Sequence, residues 1–164
     1  MTNPSAINHK KNKTIVLLSG GMDSLLCMAL AHHQNDEIYT LHFNYGQKTL
    51  NKEQECAQKI ASFYQVPTKH QHVVDLQFLK MLGGSALNDE KISLSLTGEN
   101  LSKSTIPTSY VPYRNTIMLS MALALAEIIK ANIISIGAVQ DDELGYPDCR
   151  EIYFRAFQNV ATLG

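Results

Sequence analysis

The stretch SGGMDS at residues 19–24 lies between a short apolar run and a helical pattern, and it constrains the fold more than any other part of the sequence. The preceding run, KTIVLL at residues 13–18, is apolar and β-branched, which is typical of a strand buried on both faces of a parallel sheet. Gly20 and Gly21 allow a sharp turn and a close approach of the backbone to a ligand. Asp23 and Ser24 then stand where side-chain oxygens favour the start of a helix.

This order of elements predicts an anion site. The unpaired amides and the positive dipole end of the helix would point at the loop, as they do in phosphate-binding loops. An ordinary corner between a strand and a helix uses the same residue types, so the stretch by itself leaves both interpretations open.

The rest of the chain alternates between strand and helix patterns, which predicts right-handed βαβ units and a doubly wound parallel sheet with helices on both faces. Strands are expected at residues 13–18, 37–43, 69–74 and 132–137, and helices at residues 25–31, 49–64, 75–82, 114–130 and 151–163. Ligands bind such sheets beyond the carboxyl ends of the strands. We therefore expect the loops at residues 19–24, 43–47 and 137–150 to meet at one edge.

Length and composition indicate a single domain, residues 1–164, with a loose tail at residues 1–12 and a long substrate or lid loop at residues 83–109. The net charge of −1 argues against non-specific binding to nucleic acid and favours a small-molecule substrate. Cys27, Cys56 and Cys149 form no CxxC pair, and no signal peptide or membrane span is recognisable, which predicts a cytoplasmic protein that binds no membrane.

The loop is neither of the two commonest phosphate motifs, because GxxxxGK[ST] is absent and no GxGxxG follows the first strand. SGGMDS instead resembles the PP-loop of adenylating pyrophosphatases such as the GMP, NAD and asparagine synthetases. That resemblance implies that ATP is cut between its α and β phosphates. It also implies that Ser19, Gly20, Gly21 and Ser24 hold the pyrophosphate, while Asp23 shares a Mg²⁺ ion with it.

Two later segments carry further chemistry. In SYVPYRN, Pro112 fixes the chain before a helix, so Arg114 and Asn115 fall in the first turn, where an arginine can bind a phosphate or carboxylate with two hydrogen bonds. The alternative is a solvated arginine, although a cation at this helix end opposes the dipole. In DELGYPDCR, residues 142–150, the acidic turn is either a binding segment or a solvated loop.

Taken in order, SGGMDS, FNYGQ, LGGSAL, PTSYVPYRN and GYPDCR resemble the QueC/ExsB family of 7-cyano-7-deazaguanine synthases, over residues 14–164. The resemblance implies a Rossmann-like fold of the adenine nucleotide alpha hydrolase type. It implies that 7-carboxy-7-deazaguanine, ammonia and ATP are converted to the nitrile in queuosine biosynthesis, by adenylation of the carboxylate. It also suggests a homodimer.

The residues that this resemblance implies fall into three groups. Asp23 and Arg114 are the expected catalytic residues. Nucleotide binding is expected from Ser19, Gly20, Gly21, Met22, Asp23, Ser24 and Phe43. Substrate binding is expected from Tyr45, Gln47, Arg114, Asn115, Asp142, Tyr146 and Asp148.

The sequence also departs from the family pattern. Lys48 and Thr49 stand where Arg-His is usual, the acidic residue comes one step later at Glu53, and Tyr113 replaces a glycine. The family implies structural zinc on four cysteines in a further segment, and those ligands are absent from this chain, which is then either a fragment or a shortened relative. Two other functions therefore stay open, a PP-loop ligase for a different carboxylate or amide acceptor and an ATP-binding module without catalysis.

Overall fold

The computed structural model describes residues 11–34, 36–89, 91–93, 106–139 and 145–164. Within these ranges, parallel strands form one sheet in the order β3-β2-β1-β4. The strands are β1 (Lys13–Leu17), β2 (Glu37–Asn44), β3 (Gln71–Asp75) and β4 (Ile133–Ser135). The helices are α1 (Met22–His33), α2 (Leu50–Phe63), α3 (Gln77–Leu82), α4 (Arg114–Ile129) and α5 (Glu151–Leu163). The predicted doubly wound α/β fold is confirmed.

Two apolar clusters cover the opposite faces of the sheet, because alternate side chains of a strand point to opposite sides. On one face Ile15 and Leu41 pack with Leu119 and Ala122 of α4. On the other face Val16 belongs to a cluster with residues of α1 and α2, namely Met28, Ala31, Ala57 and Ala61. Strand β1 is therefore buried on both sides, as its unbroken apolar run predicts.

The order of the strands reverses next to β1. The chain moves from β1 to β2 and β3 on one side and then returns to place β4 on the other side of β1. In the register, Ile15 of β1 pairs with Tyr39 of β2 and with Ile134 of β4. At the carboxyl ends of β1 and β4 the chains diverge, which leaves the crevice where ligands bind in sheets of this class.

Several element boundaries differ from the sequence-based expectation, and three of the differences have a clear local cause. Helix α1 begins at Met22 and not after Ser24, because Gly21 is its extended N-cap residue. Strand β3 begins at Gln71 because residues Thr68–His70 form a 3₁₀ turn. Strand β4 is only three residues long, since the chain beyond Ser135 turns so that Gly137 packs against the start of α1.

The long loop and the tail are partly built into the fold. Ser85 and Ala86 are fully buried, and the Ala86 amide donates to the Thr108 carbonyl at 2.7 Å. Asn12 is also held, since its carbonyl accepts from the Glu37 amide at 2.8 Å, so the expected loose tail does not extend to this residue. Residues 1–10, 90 and 94–105 lie outside the described residues, and the expected lid falls partly among them. In the described ranges, no helix is both long and apolar enough to cross a bilayer.

Candidate functional site

A cavity of about 350 Å³ opens at the carboxyl edge of the sheet. Its wall comes from strand ends, from the starts of α1 and α4 and from α2. The lining includes Leu17, Leu18, Ser19, Ser24, Phe43, Tyr45, Thr49, Glu53, Leu87, Arg114, Asn115, Met118, Ile136, Gly137 and Cys149. The expected meeting of the loops that follow β1, β2 and β4 therefore takes place at this edge.

The glycine loop, which we define as residues 19–24, is held by its own hydroxyl groups. The buried Ser24 hydroxyl donates to the Gly21 carbonyl at 2.9 Å and accepts from the Gly20 amide at 3.1 Å. It also accepts from the Ser19 hydroxyl at 3.2 Å, and that oxygen accepts from the Gly21 amide at 3.3 Å. Ser24 thus fixes the loop in its folded shape before any ligand binds.

The start of α1 supplies donors beside this loop. The first bond of the helix is donated by Leu25, whose amide reaches the Gly21 carbonyl at 3.0 Å. The amides of Met22, Asp23 and Ser24 precede it and are the groups that a helix cannot use internally. The Asp23 and Met22 side chains are exposed, and Ser19 and Ser24 of the same segment line the cavity.

The two glycines of the loop have different structural roles. Gly20 has a φ of +91°, and a Cβ placed on it would lie 2.5 Å from the Glu53 carbonyl oxygen. Gly21 is extended, and a Cβ there would meet nothing closer than the Ser19 hydroxyl at 3.6 Å. Gly20 therefore lets the loop lie directly against helix α2, whereas Gly21 has room for a side chain.

Arg114 is the first residue of α4 and points to the ring of Tyr45. Its Nη1 donates to the Tyr45 hydroxyl at 3.2 Å, and its Cζ lies 5.4 Å from the ring centroid. Burial raises the pKa of the Tyr45 phenol, the Arg114 charge lowers it and the Glu53 charge raises it again. Tyr45 thus lies within the field of one cation and one anion, and it keeps its proton.

Gln47 holds a carboxylate and does not itself line the cavity. Its Nε2 donates to the Phe43 carbonyl at 3.1 Å and to Glu53 Oε2 at 2.9 Å, while its Oε1 accepts from the Tyr45 amide at 2.9 Å. The Thr49 hydroxyl donates to the other oxygen of Glu53. Gln47 is buried, so these bonds fix the carboxylate of Glu53, and Glu53 is a lining residue of the cavity.

Asn115 and Asp148 form a clamp between α4 and the 3₁₀ turn Pro147–Cys149. Asp148 Oδ2 accepts from the Asn115 amide at 3.0 Å, and Asn115 Nδ2 donates to the Asp148 carbonyl at 3.1 Å. The same Nδ2 lies 3.4 Å from Cys149 Sγ. All three residues are buried, so the clamp satisfies an amide in the first turn of α4 and fixes the origin of Arg114.

Comparison with known proteins identifies the family. The family model described as "Queuosine biosynthesis protein QueC" matches residues 13–164. The chain belongs to the QueC family. It is 46% identical over 152 residues to the 7-cyano-7-deazaguanine synthase of Chlorobaculum parvum, and 45% identical over 152 residues to that of Chlorobium limicola. These matches cover 93% of this chain but only 65% and 66% of the two relatives, so the chain spans somewhat less than two thirds of their length.

Most of the site residues expected from the QueC resemblance fall into two groups by their positions. Residues that line the cavity are Ser19, Ser24, Phe43, Tyr45, Arg114 and Asn115. Residues beside it are Gly20, Gly21, Met22 and Asp23 in the glycine loop, together with Gln47 and Asp148 as supports. Tyr146 shares a 2.6 Å hydrogen bond with Ser109, and Asp142 lies outside the described residues.

Sequence reasoning missed Glu53 and Thr49 as residues of the site. The sequence carries one signal for Glu53, which is that this residue stands one step beyond the usual acidic position of the QueC pattern. In the structure Glu53 is one helical turn into α2 and is a lining residue of the cavity. Across the described ranges, no three His, Cys, Asp or Glu side chains come together as a metal site.

Proposed function

We propose that this QueC-family chain is an ATP-dependent carbon–nitrogen ligase of the 7-cyano-7-deazaguanine synthase type. It would convert 7-carboxy-7-deazaguanine and ammonia to 7-cyano-7-deazaguanine in queuosine biosynthesis. One observation carries the proposal, which is that the glycine loop and the Arg114 guanidinium belong to one cavity at the carboxyl edge of the sheet. One cavity would then hold both the hydrogen-bond donors that bind pyrophosphate and the cation that binds the carboxylate of the acceptor.

The glycine loop would bind the pyrophosphate that leaves ATP. Its donors are the first amides of α1, and the helix dipole adds a positive field. Because the Ser24 hydroxyl already fixes the loop, little reorganisation is required when charge develops on the leaving group.

Arg114 would bind the carboxylate of the acceptor. A guanidinium matches a carboxylate with two parallel hydrogen bonds, and the contact with Tyr45 holds it at the cavity wall. Apolar side chains such as Leu87 and Met118 line the same space and would contact a flat ring.

The proposed reaction depends on how ATP, the acceptor and ammonia are placed relative to one another. A carboxylate oxygen attacks the α-phosphorus of ATP, the bond from that phosphorus to the bridging oxygen breaks, and pyrophosphate leaves with the electron pair. Ammonia attacks the acyl carbon, AMP departs, and a proton is lost to give the amide. In a second cycle the amide oxygen is adenylated in the same way, and loss of AMP and two protons gives the nitrile. Positioning and electrostatics supply the rate, and no side-chain nucleophile is required.

The residues at the loop fit a magnesium ion that is bound together with ATP. Mg²⁺ is usually held by one or two carboxylates plus phosphate oxygens, and the exposed Asp23 carboxylate stands at the start of α1 beside the expected phosphates. When bound, the ion supplies charge neutralisation at the pyrophosphate. Asp23 would hold the ion at that position.

The test is to incubate the chain with ATP, Mg²⁺, ammonia and 7-carboxy-7-deazaguanine and to measure AMP and nitrile. AMP release that requires this acceptor supports the proposal. AMP release only with another carboxylate or amide contradicts the proposed identity of the acceptor. ATP binding without AMP formation contradicts the proposed catalytic role.

We also propose that the chain forms a homodimer, because Ile152, Val160 and Leu163 expose apolar surface on α5. Sedimentation velocity measures the oligomeric state.

A further inference from the structure

The described lining of the cavity carries two charged side chains of opposite sign, Arg114 and Glu53. Arg114 has a role in the proposed function, whereas Glu53 has none in the adenylation steps. Tyr45 joins the two, since its hydroxyl accepts from Arg114 and its pKa responds to the charge of Glu53. The cavity therefore has a donor end and an acceptor end, and a ligand that fills it needs the complementary polarity.

The Glu53 carboxylate is held in one orientation. Gln47 Nε2 donates to one oxygen at 2.9 Å, and the Thr49 hydroxyl donates to the other. A carboxylate has about four acceptor positions, so each oxygen keeps capacity for another donor. Because Gln47 is itself buried and bonded to the Phe43 carbonyl and the Tyr45 amide, it cannot turn away without losing those bonds. The result is a fixed pair of acceptors at the cavity wall.

We propose that Glu53 is the specificity-determining residue that accepts hydrogen bonds from the N1–H and 2-amino groups of the deazaguanine ring. This inference rests on the proposed function and names how its acceptor is recognised. The ring carries two neighbouring donors on its amidine edge and a carboxylate on the opposite side. Arg114 binds the carboxylate end and Glu53 binds the amidine end.

The two other described residues expected to recognise this edge are already engaged with each other. Asp148 accepts from the Asn115 amide, and the Asn115 side-chain amide donates to the Asp148 carbonyl. Asp148 does not line the cavity, whereas Glu53 does. Among the described lining residues, Glu53 is the one that carries a carboxylate.

The test uses isothermal titration of the wild-type chain with three ligands, namely 7-carboxy-7-deazaguanine, its analogue without the 2-amino group and its N1-methyl analogue. We expect the first to bind about 10- to 100-fold more tightly than either analogue, because a hydrogen bond to a charged acceptor is lost in each. In Glu53→Gln we expect most of this preference to disappear, since the new amide presents a donor to the ligand donors.

Glu55→Gln is the matched control, because Glu55 lies on the same helix but is exposed and paired with Lys59 at 2.5 Å. It should retain the full preference. Equal binding of all three ligands by the wild-type chain overturns the inference, even if Glu53→Gln does not fold. The proposed function still stands after that result if AMP release requires 7-carboxy-7-deazaguanine. An unchanged preference in a folded Glu53→Gln also overturns the inference alone. No binding of 7-carboxy-7-deazaguanine overturns the proposed function together with it.

Discussion

The glycine loop and the side-chain wall, which we define as Tyr45, Glu53, Arg114 and Asn115, line one cavity but are built in different ways. The loop is six consecutive residues whose amides and hydroxyls hold one another. The wall takes its residues from three separate segments, and each polar side chain in it depends on a partner elsewhere, such as Gln47 for Glu53 or Asp148 for Asn115.

This difference indicates which kind of change each region tolerates. A backbone site is sensitive to conformation and to added atoms, because its donors are amides that any residue carries. A side-chain site is sensitive to the loss of a supporting bond, because an unpaired buried donor or acceptor costs free energy. The predictions below test this contrast from the largest expected effect to the smallest.

Asp23→Ala should have the largest effect, because the proposed function assigns Asp23 the side-chain role in the chemistry of the loop. We expect AMP formation to fall by at least about 100-fold through loss of charge stabilisation at the leaving pyrophosphate. The free energy of unfolding should change little, since Asp23 is exposed. Quenched-flow or coupled assays of AMP measure the rate. Glu127→Ala, at an exposed carboxylate near the end of α4, is the control, and unchanged turnover in Asp23→Ala would remove Asp23 from the site.

Gly20→Ala and Gly21→Ala compare two neighbouring glycines of the loop. At Gly20 the positive φ and the 2.5 Å approach to the Glu53 carbonyl predict a loss of about 2–4 kcal/mol in the free energy of unfolding. At Gly21, whose backbone is extended and has space, the loss should stay within about 0.5 kcal/mol. Urea denaturation measures both, and equal losses would contradict the assigned role of Gly20.

Asp148→Ala tests the support of the side-chain wall. The Asn115 amide loses its buried acceptor, which should cost about 1–3 kcal/mol of unfolding free energy. Because Arg114 begins the same helix, the KM for the acceptor should rise more than kcat falls. Asp75→Ala removes an exposed carboxylate bonded to Gln77 and serves as the control. A normal KM in Asp148→Ala would show that the clamp does not position Arg114.

Tyr113→Gly should have a small effect of the opposite sign. Tyr113 is 66% exposed and has a φ of +52°, at the position where the family pattern has a glycine. Glycine removes the left-handed strain, and the expected gain is about 1 kcal/mol in unfolding free energy. Tyr113→Ala removes the same ring without relieving φ and should show no gain in thermal denaturation. Equal melting temperatures for the two variants would contradict the prediction.

The same contrast explains what the sequence alone can predict. The bounds of α5 and the place of the glycine loop after β1 follow from local patterns, because periodicity and turn residues act over a few positions. The edge of the sheet that holds the cavity follows from the alternation of strands and helices. These parts of the fold required no knowledge of distant contacts.

The supports of the wall could not be predicted in this way. The bonds of Gln47 join the end of β2 to α2, and their geometry depends on how the chain folds back. Glu53 lines the cavity because α2 packs against the glycine loop, and no local pattern in the sequence predicts that packing. The distinct roles of Gly20 and Gly21 depend likewise on a neighbour more than thirty residues away. The binding and catalytic roles themselves stay predictions until the variants above are measured.

The missing Cβ of Gly20 has a consequence for how the binding of two ligands is linked. Since the Gly20 backbone packs closely against the carbonyl of Glu53, a ligand that moved the first turn of α2 would also move the loop that we propose to bind phosphate. We expect nucleotide and acceptor affinities to be thermodynamically coupled through this single contact. Such coupling is reciprocal, so whatever factor the nucleotide adds to acceptor binding, the acceptor returns to nucleotide binding.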